Sequence, residues 1–483
     1  MRRSCSDSAG SVLVWTVLVI SILSLVGAQL MRVVTLKYQN ALQTATWQES
    51  LVAAESGIDL AIIELRKSLY PAPNHAWDGW NNIPGDGVTS YGLSTIPNAG
   101  LAGTPMTIEV NVDAPAQLKD QANSWQYYRI RATGTMPITG GTRVTGSKED
   151  ARLRKLSLQW ERFTNWIASP NPSSTGGSPH ASRRVEAIVR PVSSFEQAIL
   201  SLSTLDLTNQ DIIVDSYDSR DPAKSTNGLY DLSKRQQNGD IATNGNLIEA
   251  GNAHIYGDVA TNSGTVSGAA NITGVERTDF YQEPIPVSAP SWPSINPLPL
   301  TVNGNATLIA SADRGSPASR YRLNQISISG GQTLTLAGKP DGSRTYVEVY
   351  VTGDVMVGGT SQIVVGPGVN ATIYFAGNVN IQGNGMVNSN NQPADLELYG
   401  IQPPPNATQT VTLGGNGQLT AAVYAPGADI SVNGSGSKGH VYGSFVGKTV
   451  MMNGVTNLHY DEALAKGGLI NNYRIVSWFE DTR

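Results

Sequence analysis

A run of twenty uncharged residues, 12–31, lies near the amino terminus and constrains the fold more than any other feature of the chain. As a helix rising about 1.5 Å per residue, the run is roughly 30 Å long, the thickness of a bilayer's hydrocarbon core. Arg2 and Arg3 precede it, and a basic flank favours a cytoplasmic amino terminus. The sequence therefore predicts one membrane span, with the large remainder of the chain outside the cytoplasm. Side chains expected along the span include Val12, Trp15, Ile20, Leu25 and Met31.

The helical pattern continues beyond this run. Apolar residues follow in steps of 7, 4, 3 and 4, which trace one stripe of a helix. Pro71 is the first proline of the chain, and a helix should end there. We therefore expect a single helix over residues 11–70, on the order of 85 Å long, with its first third in lipid. The stripe consists of Leu51, Ile58, Ile62, Leu65 and Leu69.

A cleaved secretory signal is the competing interpretation of the same run. Val26, Gly27 and Ala28 give the small-x-small pattern of a signal peptidase site just before Gln29. The stripe that continues to Leu69 argues for a retained helix, because a discarded signal needs no helix behind it. Cleavage after Ala28 and a permanent, uncleaved anchor both stay open at this point.

Composition indicates a turn-rich β architecture for most of the chain. Only 15% of the 483 residues are charged, and 50 are glycine. The net charge of -5 gives no reason to expect nucleic acid as a partner. Cys5 is the one cysteine and precedes the apolar run, so no disulfide can form within the rest of the chain.

Residues 71–168 are expected to form a small α+β head against the second half of the helix, followed by a polar, proline-rich linker at 169–195. An apolar strand face would cover the helical stripe. Three segments alternate apolar and polar residues with the period of two that is typical of strands, at 106–112, 126–133 and 153–160.

Residues 196–469 have a different sequence pattern, in which short apolar segments are separated by Gly, Asn, Asp and Ser. Repetition on this scale favours a parallel β-helix, whose strands put alternate side chains into a narrow interior and turn corners with Gly or Asn. An ordinary sandwich is the alternative fold. Six prolines make 283–300 extended, and we expect this segment to cross the side of the domain with Trp292 packed on it. Residues 470–483 are expected to cap the domain.

Candidate chemistry is sparse. An aspartate cluster could supply a glycosidase's carboxylate pair or oxygen ligands for Ca²⁺, with Asp211, Asp215 and Asp218 as weak metal candidates. Turn capping is favoured, because loop aspartates bond to their own backbone and no calcium-loop spacing occurs. The sequence contains no metalloprotease, nucleophile-elbow, phosphate-loop or CxxC motif, so we expect no catalytic residue and no cofactor. The cluster is Asp206, Asp211, Asp215, Asp218 and Asp221; scattered histidines without an assigned role are His75, His180, His254, His440 and His459.

The first seventy residues resemble the type IV pilins, and in particular minor pilins similar to the PilX N-terminal family. The resemblance rests on Gly10-Ser11, on the run SVLVWTVLVISILSLVGAQL, and on AAESG at 53–57. It implies that a prepilin peptidase cuts after Gly10, that Ser11 becomes a methylated amino terminus, and that the helix packs against other pilins at the inner membrane. Main pilins carry a glutamate where this chain has Trp15, which implies an accessory subunit.

The carboxyl-terminal half resembles the β-helical domain attached to PilX-like pilins. The stretches that carry this resemblance are VDSYDS at 214–219, NGDIATNG at 238–245, IYGDVATN at 255–262 and GQLTAAVYAPGADISVNGSG at 417–436. No catalytic activity is implied by it.

These observations lead to one favoured function and two rivals. The favoured one is a non-enzymatic minor pilin or pseudopilin of a type IV pilus or type II secretion-type assembly. Its large head would serve tip assembly or adhesion to a surface glycan or protein. The rivals are a carbohydrate-active enzyme with a leader cut at Ala28, and an anchored envelope adhesin without a pilus role.

Overall fold

The computed structural model describes residues 9–70, 74–83, 90–94, 107–119, 126–137, 180–208, 212–268, 270–292, 300–405, 407–415, 419–434, 439–454 and 457–481. The strand predicted at 153–160, leader residues 1–8 and Asp211 lie outside these ranges.

One continuous helix, α1, runs from Ala9 to Lys67 over 59 residues, about 88 Å at 1.5 Å per residue. The prediction of a single helix spanning the apolar run and the stripe behind it is confirmed. Arg66 and Lys67 occupy its last turn, where positive charge is favourable against the helix dipole.

The described residues form thirty strands, numbered here in chain order. The first five are β1 (Asn81–Ile83), β2 (Ser90–Ser94), β3 (Thr107–Asp113), β4 (Tyr128–Pro137) and β5 (His180–Ser193). The next nine are β6 (Ile199–Asp206), β7 (Ile213–Tyr217), β8 (Ile241–Thr243), β9 (Leu247–Gly251), β10 (His254–Ile255), β11 (Val259–Ala260), β12 (Thr265–Gly268), β13 (Asn271–Ile272) and β14 (Glu276–Arg277).

After a proline-rich segment come β15 (Leu300–Val302), β16 (Ala306–Ile309), β17 (Arg320–Ile328), β18 (Thr333–Ala337), β19 (Thr345–Val351), β20 (Val355–Val357), β21 (Gln362–Val365), β22 (Val369–Phe375), β23 (Val379–Ile381), β24 (Gly385–Asn388), β25 (Leu396–Gly400), β26 (Gln409–Gly415), β27 (Leu419–Gly434), β28 (His440–Asn453) and β29 (Asn457–Asp461). The last strand is β30 (Ile470–Asp481).

An antiparallel sheet of order β1-β2-β3-β4-β5-β30 forms the head. The strands predicted at 106–112 and 126–133 are confirmed as β3 and β4. Strand β5 corrects the assignment of 169–195 to a linker: its residues alternate between exposed or half-buried and buried, with Val185 and Val189 in the head core. Strand β30 corrects the cap expected at 470–483, because it pairs with β5 along the head sheet.

The second half of α1 packs on β3, β4 and β5 through a face of small and branched residues. The predicted stripe is confirmed: Ile58, Ile62 and Leu65 are buried, while Leu51 and Leu69 pack at its margins. The strands contribute Val110, Ile130 and Val189, among others, to the same core.

Two glycines show how closely the helix and the sheet approach. A Cβ on Gly57, the glycine of AAESG, would lie 2.9 Å from the side chains of Ala132 and Val110. A Cβ on Gly134 of β4 would lie 2.2 Å from the backbone oxygen of Ser50. The AAESG stretch therefore supplies a small-residue surface on which the sheet lies nearly against the helix backbone.

Residues 194–469, here called the stacked domain, are inserted between β5 and β30 of the head sheet. Within much of it each strand pairs in parallel with the strand three places later, as β19 does with β22, β20 with β23 and β21 with β24. One circuit of three strands makes a rung, and successive rungs bury their alternate apolar side chains in one common interior. The long helix is therefore followed by a mostly-β domain of parallel rungs around an apolar core.

Asp and Gly side by side turn one corner of the rungs. The backbone N–H of Asp258 donates to the Asp240 carboxylate of the neighbouring rung at 2.7 Å, and Val275 N–H donates to Asp258 at 2.8 Å. Gly257 passes so close to Gly239 that a Cβ would lie 2.6 Å from its carbonyl carbon. Glycine thus permits the close approach of neighbouring rungs, and aspartate accepts a hydrogen bond from the backbone N–H of the next rung.

The chain enters the stacked domain at its middle. Strands β6 to β14 build rungs in one direction, and β15 to β29 approach from the other side. The two parts join where β6 pairs with β28 and β7 pairs with β29, both in parallel; we call this contact the seam.

Residues 280–292, here called the strap, return the chain along the outside of the stack, as expected for the proline-rich segment. The Tyr424 hydroxyl donates to the carbonyl of Ile285 and accepts from its N–H, each at 2.9 Å. Trp292 packs edge-on against Tyr374 with ring centroids 6.0 Å apart. The strap therefore spans several rungs and packs on an aromatic surface.

We predict that Gly134→Ala lowers the free energy of unfolding of the detergent-solubilised chain by about 1–3 kcal/mol, because the added methyl overlaps the helix backbone. Gly27→Ala is the matched control, since a Cβ at Gly27 meets nothing within 4 Å. Urea unfolding of both variants measures the effect. Equal stability of the two would contradict the close contact.

Candidate functional site

The apolar part of α1 is exposed. Its side chains from Val14 to Tyr38 do not pack on the rest of the chain. The most apolar stretch of 18 residues has a mean hydropathy of 2.2, and none of this stretch is buried. By length and composition this helix could cross a membrane. The exposed fractions are 66% for Trp15, 62% for Ile20, 65% for Leu25 and 61% for Met31.

The predicted leader junction lies in the first turn of this helix. Gly10, Ser11 and Val12 have helical backbones. Cleavage after Gly10, cleavage after Ala28 and the membrane insertion of the run stay predictions.

The aspartate cluster divides into two kinds of site. Asp206, Asp218 and Asp221 each accept a hydrogen bond from the backbone N–H two residues ahead, the geometry of turn-capping aspartates. Asp215 differs, because it is fully buried on β7 at the seam. Among the described residues, no three His, Cys, Asp or Glu side chains converge in a way that could hold a metal ion.

Asp215 begins a chain of hydrogen-bonded side chains across the seam. His459 of β29 places Nδ1 2.5 Å from the Asp215 carboxylate, and its Nε2 lies 2.9 Å from Nδ1 of His440 on β28. Tyr230 donates its hydroxyl to the other Asp215 oxygen at 2.7 Å and stacks on His459 with centroids 3.8 Å apart. Neither histidine has a neighbour in sequence that predicts a role for it.

The hydrogen bonds fix how this array can hold protons. The Asp215 carboxylate can only accept, so Nδ1 of His459 carries a hydrogen and, in the neutral ring, its Nε2 accepts from Nδ1 of His440. The lone pair then resides on Nε2 of the half-buried His440. The array therefore connects the buried carboxylate with the domain surface through two imidazole rings.

The loop between β7 and β8 covers the array. This loop supplies Tyr230. The rings of Tyr217 and Tyr442 pack edge-on against the Tyr230 ring, with centroids 5.7 Å and 6.0 Å away. Burial and the bond to Asp215 raise the pKa of Tyr230 far above its ordinary value, so its hydroxyl stays a donor. Structurally, the array ties this loop and both parts of the stack together.

A family model matches the second part of the stacked domain. Residues 318–467 match a domain of unknown function, DUF7305. The match begins just before β17, ends just after β29 and so includes His440 and His459, but it covers less than half of the chain. No curated protein matches the chain.

Among solved structures, the chain is similar to the competence-associated pilin ComZ from Thermus thermophilus. The match covers 90% of this chain and 97% of that one, at 13% identity and a TM-score of 0.24. Because identity and TM-score are both low, the fold rests on the strand pairing within this chain.

We predict that acid destabilises the natural chain more than a His440→Gln variant. Burial and the neighbouring His459 lower the pKa of His440. The unfolded chain therefore takes up this proton first, and folding stability is lost as pH falls through the ordinary histidine value of about 6.5. Thermal midpoints at about pH 7.5 and about pH 5.5 give the comparison.

His254→Gln is the control for this comparison, since His254 is exposed on β10. An equal acid response in the natural chain and in His440→Gln would show that His440 is not held in the uncharged form.

Proposed function

We propose that this chain is an accessory subunit of the pilin or pseudopilin kind. In this proposal α1 is held in the inner membrane and then packs against the helices of other pilins in a type IV pilus or type II secretion-type assembly. The stacked domain is carried outside the cytoplasm as a large head.

The observation that carries the proposal is the division of α1 into two surfaces. Up to Tyr38 its apolar side chains are exposed, whereas residues 53–65 are packed into the head sheet by small side chains. Exposed apolar surface of this extent needs lipid or partner helices to cover it. A discarded secretory signal would not be continuous with the helix that forms the head core.

We further propose that the stacked domain is a parallel β-helix. The three-strand period of its parallel pairing and its single apolar interior support this. The size of this domain suits the tip of an assembly better than a shaft with close lateral neighbours. Trp15 at the position of the main pilins' glutamate suits an accessory subunit as well.

The mass of the amino-terminal peptide tests the assembly role, using protein from membranes and from sheared surface filaments. We expect a chain that begins at Ser11 and carries a methyl group. Gly10→Leu should leave the leader attached, while the matched Ala28→Leu should change nothing but the mass of the substituted residue.

A chain that begins at Gln29 and is blocked by Ala28→Leu would overturn the proposal in favour of a secreted protein. An intact Met1 in every fraction would leave an anchored protein without a pilus role.

A second candidate is a secreted or anchored carbohydrate-active enzyme. The observation in its favour is the Asp215–His459–His440 array, in which a carboxylate orients a histidine as it does in general-base catalysis.

If this candidate holds, the purified chain releases sugar fragments from bacterial surface polysaccharide, and Asp215→Asn lowers the rate by about 100-fold or more. Asp218→Asn, which changes the turn-capping carboxylate directly after β7, should keep the rate. Absence of release by the natural chain, or an equal rate in both variants, removes this candidate.

A further inference from the structure

Five of the eight Lys and Arg residues in the second part of the stacked domain, 300–469, lie in its first rungs. Of residues 301–437, five are Lys or Arg, and all of them lie within 314–344. Four are arginines, and Arg314, Arg322 and Arg344 are exposed while Arg320 is half-buried. The rungs that follow, from 345 to 437, carry no positive side chain at all.

Each of these arginines lies over an aromatic ring. Arg314 and Arg344 lie 4.9 Å and 5.9 Å from the Tyr346 ring centroid. Two others repeat the arrangement: Arg320 lies 5.4 Å from Trp292 of the strap, and Arg322 lies 5.6 Å from Tyr350. Such pairs occur about once per 70–80 residues in proteins, so four within thirty-one residues mark a specialised surface.

Strand register arranges the surrounding polar groups in a straight row. Arg320, Glu348, Thr372 and Glu397 occupy equivalent positions in four successive rungs. At about 4.8 Å per rung the row is roughly 14 Å long, and a second row runs beside it. The second row consists of Arg322, Tyr350, Tyr374 and Tyr399.

Two of the arginines have unneutralised charge. Arg320 pairs with Glu348 and Arg344 pairs with the buried Asp395, at 2.6 Å and 2.8 Å. Arg314 donates to the neutral side chain of Asn370, and neither Arg314 nor Arg322 has a carboxylate within ion-pair distance among the residues that the structure describes. Their guanidinium forks are held against rings and keep donors for a ligand.

Acceptor groups lie beside these donors. Glu397 is nine-tenths buried and accepts from the Tyr399 hydroxyl at 2.9 Å. Burial raises the pKa of Glu397, although the positive charges of Arg314 and Arg344 oppose this shift. Thr372 and Glu397 are buried, so the accessible groups are those of the first two rungs, the cationic forks and the partly exposed Glu348 carboxylate.

We propose that this surface, the arginine–aromatic patch of Arg314, Arg320, Arg322, Arg344 and Tyr346, binds an acidic oligosaccharide. Sugar carboxylates are bound by Arg314 and Arg322, and sugar hydroxyls donate to the partly exposed Glu348. A nucleic acid fits less well, because a DNA backbone has no free hydroxyl to donate to Glu348, whereas every ring of an oligouronate has.

The inference deepens the adhesive part of the proposed function and rests on it only for where the domain is displayed. The test uses the full chain in detergent and oligomers of galacturonate, glucuronate and mannuronate as probes, by isothermal titration. We expect binding that weakens with salt, and a loss of about tenfold or more in affinity in the double variant Arg314→Gln/Arg322→Gln.

The matched control is Lys448→Gln, which removes one exposed positive charge from β28, far along the stack from the patch. It should bind like the natural chain. Thermal unfolding of every variant shows whether the fold is kept. Arg322→Gln alone is the variant least able to disturb it, because the Arg322 side chain makes no hydrogen bond within the described residues.

Three outcomes would overturn the proposal: no binding of any oligouronate, equal binding of carboxyl-reduced neutral oligomers, or tighter binding of a single-stranded oligodeoxynucleotide. Undiminished binding in the double variant would also overturn it. None of these results depends on where the amino terminus is cut, so failure here is distinguishable from failure of the pilin role.

Discussion

The junction between β5 and β30 is the interaction on which the rest of the structure depends. It completes the sheet that covers α1, and it holds together the entry and exit of the stacked domain. Ser194 N–H donates to the Leu469 carbonyl at 2.8 Å, and Tyr460 donates its hydroxyl to the Phe195 carbonyl at 2.6 Å. The ring of Phe195 is fully buried against Tyr399 and Tyr424. Two chain crossings and a shared aromatic core therefore join the head to the stack, which a single linker could not do.

The same junction explains why the stack is built in two directions. The chain enters and leaves at one place, so β6 to β14 build away from it, the strap carries the chain along the outside to the other end, and β15 to β29 build back toward it. The seam then has to join strands that are far apart in sequence. Buried polar groups at such a contact need partners, and the Asp215–His459 pair with Tyr230 supplies them.

Local patterns in the sequence predicted local structure well. The stripe behind the apolar run predicted the long helix, and period-two alternation predicted β3 and β4. Strand β5 carries the same alternation, at Val185, Ala187 and Val189, and was mistaken for a linker because prolines and serines precede it. The repeated GDIATN and GDVATN, eighteen residues apart at Asp240 and Asp258, were a visible signal of one rung's length.

Long-range pairing could not be predicted from the sequence. Asp215 and His459 lie 244 residues apart, and neither has a neighbour in sequence that marks it as a partner. The sequence predicts a cap of the stacked domain at 470–483, whereas β30 pairs with β5 in the head sheet. The cause is the same, because the sequence of a strand does not show which sheet the strand joins. The straight rows of the arginine–aromatic patch likewise arise only when the rung length is known.

The double crossing at the junction has a mechanical consequence. Strands β5 and β30 both leave the head at the same end, at Ser193 and Ile470, so a pull on the stacked domain draws both strands in the same direction. The load then falls on the ladder between β4 and β5, which pairs ten residues of β4 along their full length. Such a ladder is loaded in shear, and its hydrogen bonds must break together instead of opening one after another. In the proposed role, the joint between the head and the stacked domain would resist tension better than a ladder whose hydrogen bonds open one at a time.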